Sequence, residues 1–392
     1  MLKKIAVYHN LPYGGGLRTI EEFSKRLSQK YILDLYTIDG GSHSSSEKNY
    51  FRRRYSYNFN GLTLIKGGLL LRPQEDYNFF VKLVKLHKNI AEDIDKREYS
   101  LVILSHDVYI QTPYISRFLK TKTLYYCQEP WRNYYEYNLN LLNKEKASFK
   151  RFYLLISDYL RKLSDINNAR RVNKILVNSY SSLESVFRAY GIYGSVCHLG
   201  VDLNVFKPLR RQKENYVFVV GNLSVHKGHE FVIDALSLLK TKERPQLFIA
   251  SGGVGLDRRD YLENYGSSRN VNVKIFPQIS EKDIVDLYSR ARIVICAAHL
   301  ETLGLSALEA IACETPVIAV KEGGYRDMIV DGVNGLFIDR NEAGLARAIR
   351  QLLTDSSLYN RIAKHSRKSL YPYWTWDAAE ERLEEYIKRL IK

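Results

Sequence analysis

Two carboxylates, Glu301 and Glu309, stand eight residues apart in the stretch ETLGLSALE. A fully helical separation of that length would span about 12 Å and rotate the side chains apart by roughly 80°. That does not suit a paired-carboxylate centre. It suits the two ends of one long ligand, with the N–H groups of a helix start offered to an anion between them. A second chemical feature is the glycine triplet Gly14, Gly15 and Gly16 in LPYGGGLRTIEEF. Glycines there let the backbone approach a ligand closely, or they make a simple tight turn. Ser306-x-x-Glu309 also fits a capping box, in which Glu309 would cap its own helix.

These residues need elements to hold them. The apolar run Ile293 to Ala298 reads as a buried strand, followed by a polar turn with Gly304, a short apolar helix, a β-branched run from Pro316 to Val320 and a Gly323-Gly324 loop. That is one parallel α/β unit. The chain opens in the same style, with a strand from Lys3 to His9, the glycine triplet and an amphipathic helix. The triplet lacks the G-x-G-x-x-G spacing, so it is no dinucleotide fingerprint. Residues 39–75 read as loop-rich, and Arg52, Arg53 and Arg54 within them either touch phosphates or lipid headgroups or form a solvated edge. Residues 77–98 read as a long helix with Lys82, Lys85 and Lys88 on one face. An ordinary core helix is the preferred reading there over a membrane-surface helix. LFIASGGVG is a strand with a Gly252-Gly253 loop, and VKIFPQIS is an edge segment.

With 392 residues, two domains are expected. Four cysteines at 127, 197, 296 and 313 lie far apart without metal-ligand spacing and read as buried, reduced thiols. The start of the chain goes straight into a strand, so no signal peptide is expected, and no apolar run reaches the ~18 residues of a membrane span. Residues 1–200 hold 31 Lys and Arg against 18 Asp and Glu, whereas the remaining 192 hold 28 against 25. Basicity belongs to the first half, and no nucleic-acid motif accompanies it. An anionic acceptor or membrane surface is therefore preferred over nucleic acid, beside the plain alternative of solubility charge.

E-x7-E after a strand, followed by EAIACETPVIAV and GGYRDMIVDGVNGLF, closely resembles the donor-site motif of glycosyltransferase family 4. The resemblance implies a GT-B fold and a retaining, nucleotide-sugar-dependent transfer. It implies that Glu301 holds the donor sugar, that the backbone of Thr302, Leu303, Gly304 and Leu305 approaches sugar and phosphate, and that Glu309 holds the ribose hydroxyls. VVGNLSVHKG resembles the family's G-R-L…K-G motif, so Lys227 would neutralise the donor diphosphate. Asn222 stands where the family has Arg, which removes one cation; either His226, His229 or Arg326 compensates or the phosphate site is weaker. Gln278 and Ile279 would lie by the nucleobase, and Gly15 and Gly16 would face acceptor and donor phosphate. YYCQEP resembles a family segment that often reads YYCHEP, so Gln128 stands in place of a His near the reacting sugar, and His106 is the nearest alternative. A strand-end His106-Asp107 is equally a structural pair. Asp93-Ile94-Asp95 matches a D-x-D metal motif of another glycosyltransferase fold, but on a charged helix end it reads as solvated surface, and no metal is expected.

The expected architecture is α/β, with two Rossmann-like domains of parallel sheet facing a central cleft. An acceptor-side domain covers 1–203, a linker 204–214, a donor domain 215–370, and a terminal helix over 371–392 crosses back to the first domain, with Trp374 and Trp376 as anchors. The expected activity is hexosyl transfer from a UDP- or GDP-sugar to a glycan or lipid-linked acceptor at the cytosolic membrane face, with no metal or other cofactor. The same fold would also serve a sugar-nucleotide epimerase, a phosphorylase or a non-catalytic nucleotide-sugar-binding subunit.

Overall fold

A computed structural model describes residues 2–12, 14–38, 50–59, 72–135, 149–252 and 256–392. Much of the loop-rich stretch expected at 39–75, and Gly253, lie outside the described residues. The chain forms two compact units, Met1–His198 with Glu380–Lys392, and Leu199–Ala379.

The first unit is built on seven strands: β1 (Lys4–Asn10), β2 (Ile32–Ile38), β3 (Arg53–Tyr57), β4 (Leu101–Asp107), β5 (Thr123–Tyr126), β6 (Lys174–Val177) and β7 (Ser195–Val196). Their order is β3-β2-β1-β4-β5-β6-β7, with parallel pairing between neighbours. β1 and β4 are buried almost end to end, as parallel strands covered on both faces require. The helix Gly15–Leu27 returns over the sheet because Leu17, Ile20, Phe23 and Leu27 share one face.

The second unit has six strands: β8 (Glu214–Val220), β9 (Gln246–Ser251), β10 (Val273–Pro277), β11 (Ala291–Cys296), β12 (Val317–Val320) and β13 (Gly335–Ile338). They lie in the order β10-β9-β8-β11-β12-β13, again parallel, with β10 on the edge as VKIFPQIS suggests. β11 starts and stops two residues earlier than the apolar run predicts. Beyond it, the carbonyls of Ala297 and Ala298 accept from Arg340 at 3.0 and 3.1 Å, which a strand neighbour would otherwise do.

The helix expected over 77–98 is broken into Arg72–Tyr77, a π-helical turn Asn78–Lys82, and Leu83–Asp95. Its buried face carries Leu83, Ile90, Ala91 and Ile94, which makes it a core helix. Asp93 and Asp95 are not merely solvated. Asp93 accepts from Tyr57 Oη at 2.7 Å and pairs with Arg97, and Asp95 holds the Lys120 and Thr121 amides at 2.9 and 3.0 Å.

The terminal helix Trp376–Leu390 spans the division of the chain. Trp374 and Trp376 are buried in the second unit, where the Val201 amide donates to Trp374 O at 2.9 Å. Lys30 binds Glu380 and Glu384 at 2.8 and 2.9 Å, Arg382 donates to His198 O at 3.0 Å, and Leu383 packs beside Val7, Ile20 and Phe23.

Candidate active site

In the second unit the carboxyl ends of β8, β10, β11 and β12 gather the motif residues on one edge of the sheet, where open α/β sheets bind ligands. Lys227 follows β8 and Glu301 follows β11, and Lys227 Nζ lies 2.6 Å from Glu301 Oε2. Both side chains are about one-fifth exposed, so the pair is reachable from solvent. Gly228 lets the Lys227 loop sit against the end of β11, because a Cβ there would meet the Ala297 carbonyl within 2.4 Å. The His299 amide donates to His226 O at 2.7 Å and closes the same contact.

The turn Glu301–Gly304 is held from its other side by Gly323 and Gly324. The Gly324 amide donates to Glu301 O at 2.7 Å. Gly323 has φ 57°, and a Cβ on it would strike the Glu301 backbone. Gly304 has φ 97°, and its missing side chain leaves room for the Tyr325 ring. Close backbone packing therefore holds the turn Thr302, Leu303 and Gly304 in place.

The helix after this turn begins at Leu305, with Gly304 as its N-cap and no side-chain cap. Ser306 is thus already helical, so the capping box does not form. The part from Glu301 to Gly304 is not helical either, so the 12 Å helical spacing does not hold. Glu309 faces inward and is 5% exposed. Its Oε2 accepts from the buried Tyr288 hydroxyl at 2.8 Å.

Asn222 turns its Oδ1 toward the Ser224 amide at 3.3 Å, and its carbonyl lies 2.9 Å from His229 Nε2. His229 is fully buried and its pKa is lowered by that burial, so it does not replace the absent arginine cation. His226 Nε2 lies 3.3 Å from Ser224 Oγ, and Arg326 is exposed with Nε donating to Gly323 O at 3.2 Å. Gln278 and Ile279 follow β10, with Gln278 at φ 51° and its amide on Ser251 O at 2.9 Å.

A network absent from the sequence reading stands next to Glu301. Glu322 accepts from Arg340 at 2.8 and 2.9 Å and lies 3.1 Å from His299 Nδ1. These two arginine bonds hold the Glu322 carboxyl below the usual range against the opposing effect of its burial. No motif spacing announces this trio, because its members come from three separate loops.

The first unit gathers a second group. Gly14, Gly16, His106, Asp107, Gln111, Gln128, Glu129 and Trp131 line a cavity of about 300 Å³. Gly15 opens the helix, and its carbonyl accepts from Thr19 Oγ1 at 2.8 Å. Gln128 Nε2 donates to Gly16 O at 3.3 Å, and its backbone amide donates to His106 Nε2 at 3.2 Å. Gln111 Nε2 lies 3.0 Å from His106 Nδ1 and donates to Glu129 O at 2.7 Å. Burial pushes the His106 pKa down to about 3. It is therefore a neutral ring held by two glutamines, not an imidazolium acid. Asp107 does not bond His106; its carboxylate accepts from Tyr8, Asn10 and the Tyr109 amide.

Comparisons with known proteins fall mainly on the second unit and, for the fold, on the whole chain. Residues 201–369 match the family model for glycosyl transferases group 1, under half of the chain. An uncharacterized glycosyltransferase of Methanocaldococcus jannaschii is 30% identical over 177 residues, covering 44% of this chain and 45% of its own. A D-inositol 3-phosphate glycosyltransferase of Streptosporangium roseum is 27% identical over 192 residues, covering 43% and 44%. The chain thus spans less than half the length of these curated relatives. The crystal structure of HepE from Anabaena in complex with UDP-glucose matches with a TM-score of 0.74 at 17% identity, covering 98% of this chain and 99% of that one. At that identity the likeness concerns the fold alone, and the fold is GT-B: two Rossmann-like α/β domains with parallel sheets.

Proposed function

We propose that the protein is a retaining glycosyltransferase of the family 4 type. It moves a hexosyl unit from a UDP- or GDP-sugar to a glycan or lipid-linked acceptor at the cytosolic face of a membrane. The observation that carries this reading is the Lys227–Glu301 pair at 2.6 Å, on a turn clasped by Gly323 and Gly324 inside the segment that matches glycosyl transferases group 1. The complex of HepE with UDP-glucose supports a nucleotide sugar as donor.

On this reading the donor lies along the carboxyl edge of the second sheet. Its diphosphate takes Lys227 as counter-ion, and Glu301, released from the ion pair, turns to the sugar hydroxyls. The amides of Thr302 to Leu305 stabilise the departing phosphate charge without a metal. Asn222 adds a hydrogen bond to phosphate but no charge. Glu309 meets the ribose, and Gln278 and Ile279 flank the base. The anomeric carbon loses its bond to the diphosphate and gains one to the acceptor oxygen on the same face. The acceptor proton passes to the departing phosphate oxygen. The cavity lined by Gly14, Gly16, His106 and Gln128 receives the acceptor, with neutral His106 and Gln128 as hydrogen-bonding partners and not as bases.

A thermal-shift panel of UDP- and GDP-sugars, with Glu309→Ala as control, tests the donor assignment. Stabilisation by one nucleotide sugar, lost in the variant, is expected. Release of nucleoside diphosphate only when membrane extract is added separates transfer from epimerisation, which needs no acceptor. Binding without any such release refutes the enzyme reading.

A further inference from the structure

The helix Phe149–Ala169 is built the wrong way round for a core helix. Ser157, Arg161, Asp165 and Asn168 recur at i, i+4, i+8 and i+11, and all four are buried. Each has a partner inside the unit. Ser157 Oγ and Arg161 bind Asp76 at 2.8 and 2.6 Å, the Thr112 amide donates to Asp165 at 2.9 Å, and Asn168 Nδ2 donates to Thr112 O at 2.6 Å. Arg161 also lies 4.2 Å from the Phe79 ring centre. The inner face is thus largely polar and partnered, with Ile166 and Ala169 joining the apolar core at its end.

The outer face is the apolar one. Phe152, Leu155, Ile156, Tyr159 and Leu160 follow i, i+3, i+4, i+7, i+8, so they form one stripe, and each is 44–62% exposed. The segment joined to it through Asp76 also exposes Tyr77 and, in the π-helical turn that follows, Val81, at 52% and 48%. Lys82 and Lys85 are exposed in the continuation of that segment, with Lys82 Nζ 5.7 Å from the Tyr77 ring centre. A contiguous apolar stripe on a satisfied polar base is a contact surface, not a folding defect.

We propose that this stripe is a docking surface for an anionic lipid membrane, with the helix lying flat in the headgroup layer. The occupant is argued from charge. Residues 1–200 carry 31 cationic side chains against 18 acidic ones, and the helical segment tied to this helix through Asp76 runs on to exposed Lys82 and Lys85. An apolar stripe in the basic half of the chain matches acyl chains below and anionic headgroups above. Among the described residues no helix is long and apolar enough to cross a membrane, so the contact is interfacial. The inference deepens the reading of a lipid-linked acceptor and rests on it only for the purpose of the contact.

Vesicle co-sedimentation tests it, with phosphatidylcholine alone and with phosphatidylglycerol added. The wild type, Phe152→Glu with Tyr159→Glu, and Lys82→Glu with Lys85→Glu are compared. Wild-type protein is expected on the anionic vesicles, with part of the binding surviving high salt because the apolar insertion is not screened. The stripe variant is expected to bind about tenfold less or weaker still, and the lysine variant to lose mainly the salt-sensitive part. Melting temperature and nucleotide-sugar stabilisation serve as fold controls and report separately on the donor site. Vesicle binding unchanged by the stripe variant overturns the proposal, as does no vesicle binding by the wild type. A wild-type dimer in gel filtration that the stripe variant dissolves, without vesicle binding, overturns it in favour of a contact between copies.

Discussion

Lys227 and Glu301 lie 74 positions apart in the chain and meet at 2.6 Å at the carboxyl edge of the second sheet. Each neutralises the other. A diphosphate arriving at Lys227 must therefore compete with a carboxylate already in place. Glu301→Gln is expected to tighten UDP or GDP binding severalfold while sugar transfer collapses. Lys227→Ala is expected to weaken nucleotide binding and to slow transfer by about 10²–10³-fold, the size of losing one preorganised charge donor. Calorimetric titration beside turnover measurements checks both. Equal loss of binding in the two variants would show that the pair does not act as a gate.

Gly304 tests the backbone clasp. Alanine there combines a φ of 97° with a collision against the Tyr325 ring. A cost of about 1–3 kcal/mol is expected from the strain alone. Urea unfolding should show a lower midpoint, and the donor site should lose affinity because the turn it forms is displaced. An unchanged midpoint would mean that the ring moves aside freely.

Tyr288→Phe removes the 2.8 Å bond to Glu309 and leaves a buried carboxylate one donor short. The expected destabilisation is about 1–3 kcal/mol. If Glu309 also holds the ribose, nucleoside binding weakens while inorganic diphosphate binding does not. Competition between the two ligands reads that split.

His106 sets an acid limit. Burial lowers its pKa from 6.5 to about 3. As pH falls through 6.5 the unfolded chain takes up a proton that the native ring refuses, so the unfolded state binds more protons across this window. The contribution of this group to stability is full above 6.5 and declines as pH drops toward about 3. His106→Gln is expected to flatten that decline in urea midpoints measured across the window. Parallel profiles for the two proteins would refute the assignment.

The four cysteines are buried free thiols, and burial raises the pKa of Cys197, Cys296 and Cys313 to about 12. A thiol reagent at neutral pH is expected to react slowly with native protein and rapidly after denaturation. Fast native reaction at one site would show an opening motion around it.

What the sequence determined by itself is largely what is local and periodic. Apolar runs such as YVFVVG and PVIAV, separated by helical patterns and glycines, dictate parallel strands with crossover helices, because only that arrangement buries both faces of such runs. The order of the motif around Glu301 and Glu309 was legible for the same reason. The meeting of distant loops was not. Nothing in spacing joins Lys227 to Glu301, Tyr288 to Glu309, or Arg340 to Glu322. The first and third exist because parallel strands deliver the loops after β8, β11, β12 and β13 to one edge, and the second because the helices Glu281–Arg290 and Leu305–Ala312 turn Tyr288 and Glu309 into the same interior. The polarity of Phe149–Ala169 shows the limit most clearly. Its sequence is amphipathic in either sense, and only the partners Asp76 and Thr112 decided that the polar face would turn inward. A charged side chain can be buried when its counter-charge is waiting there, and the chain carries that information far from the helix itself.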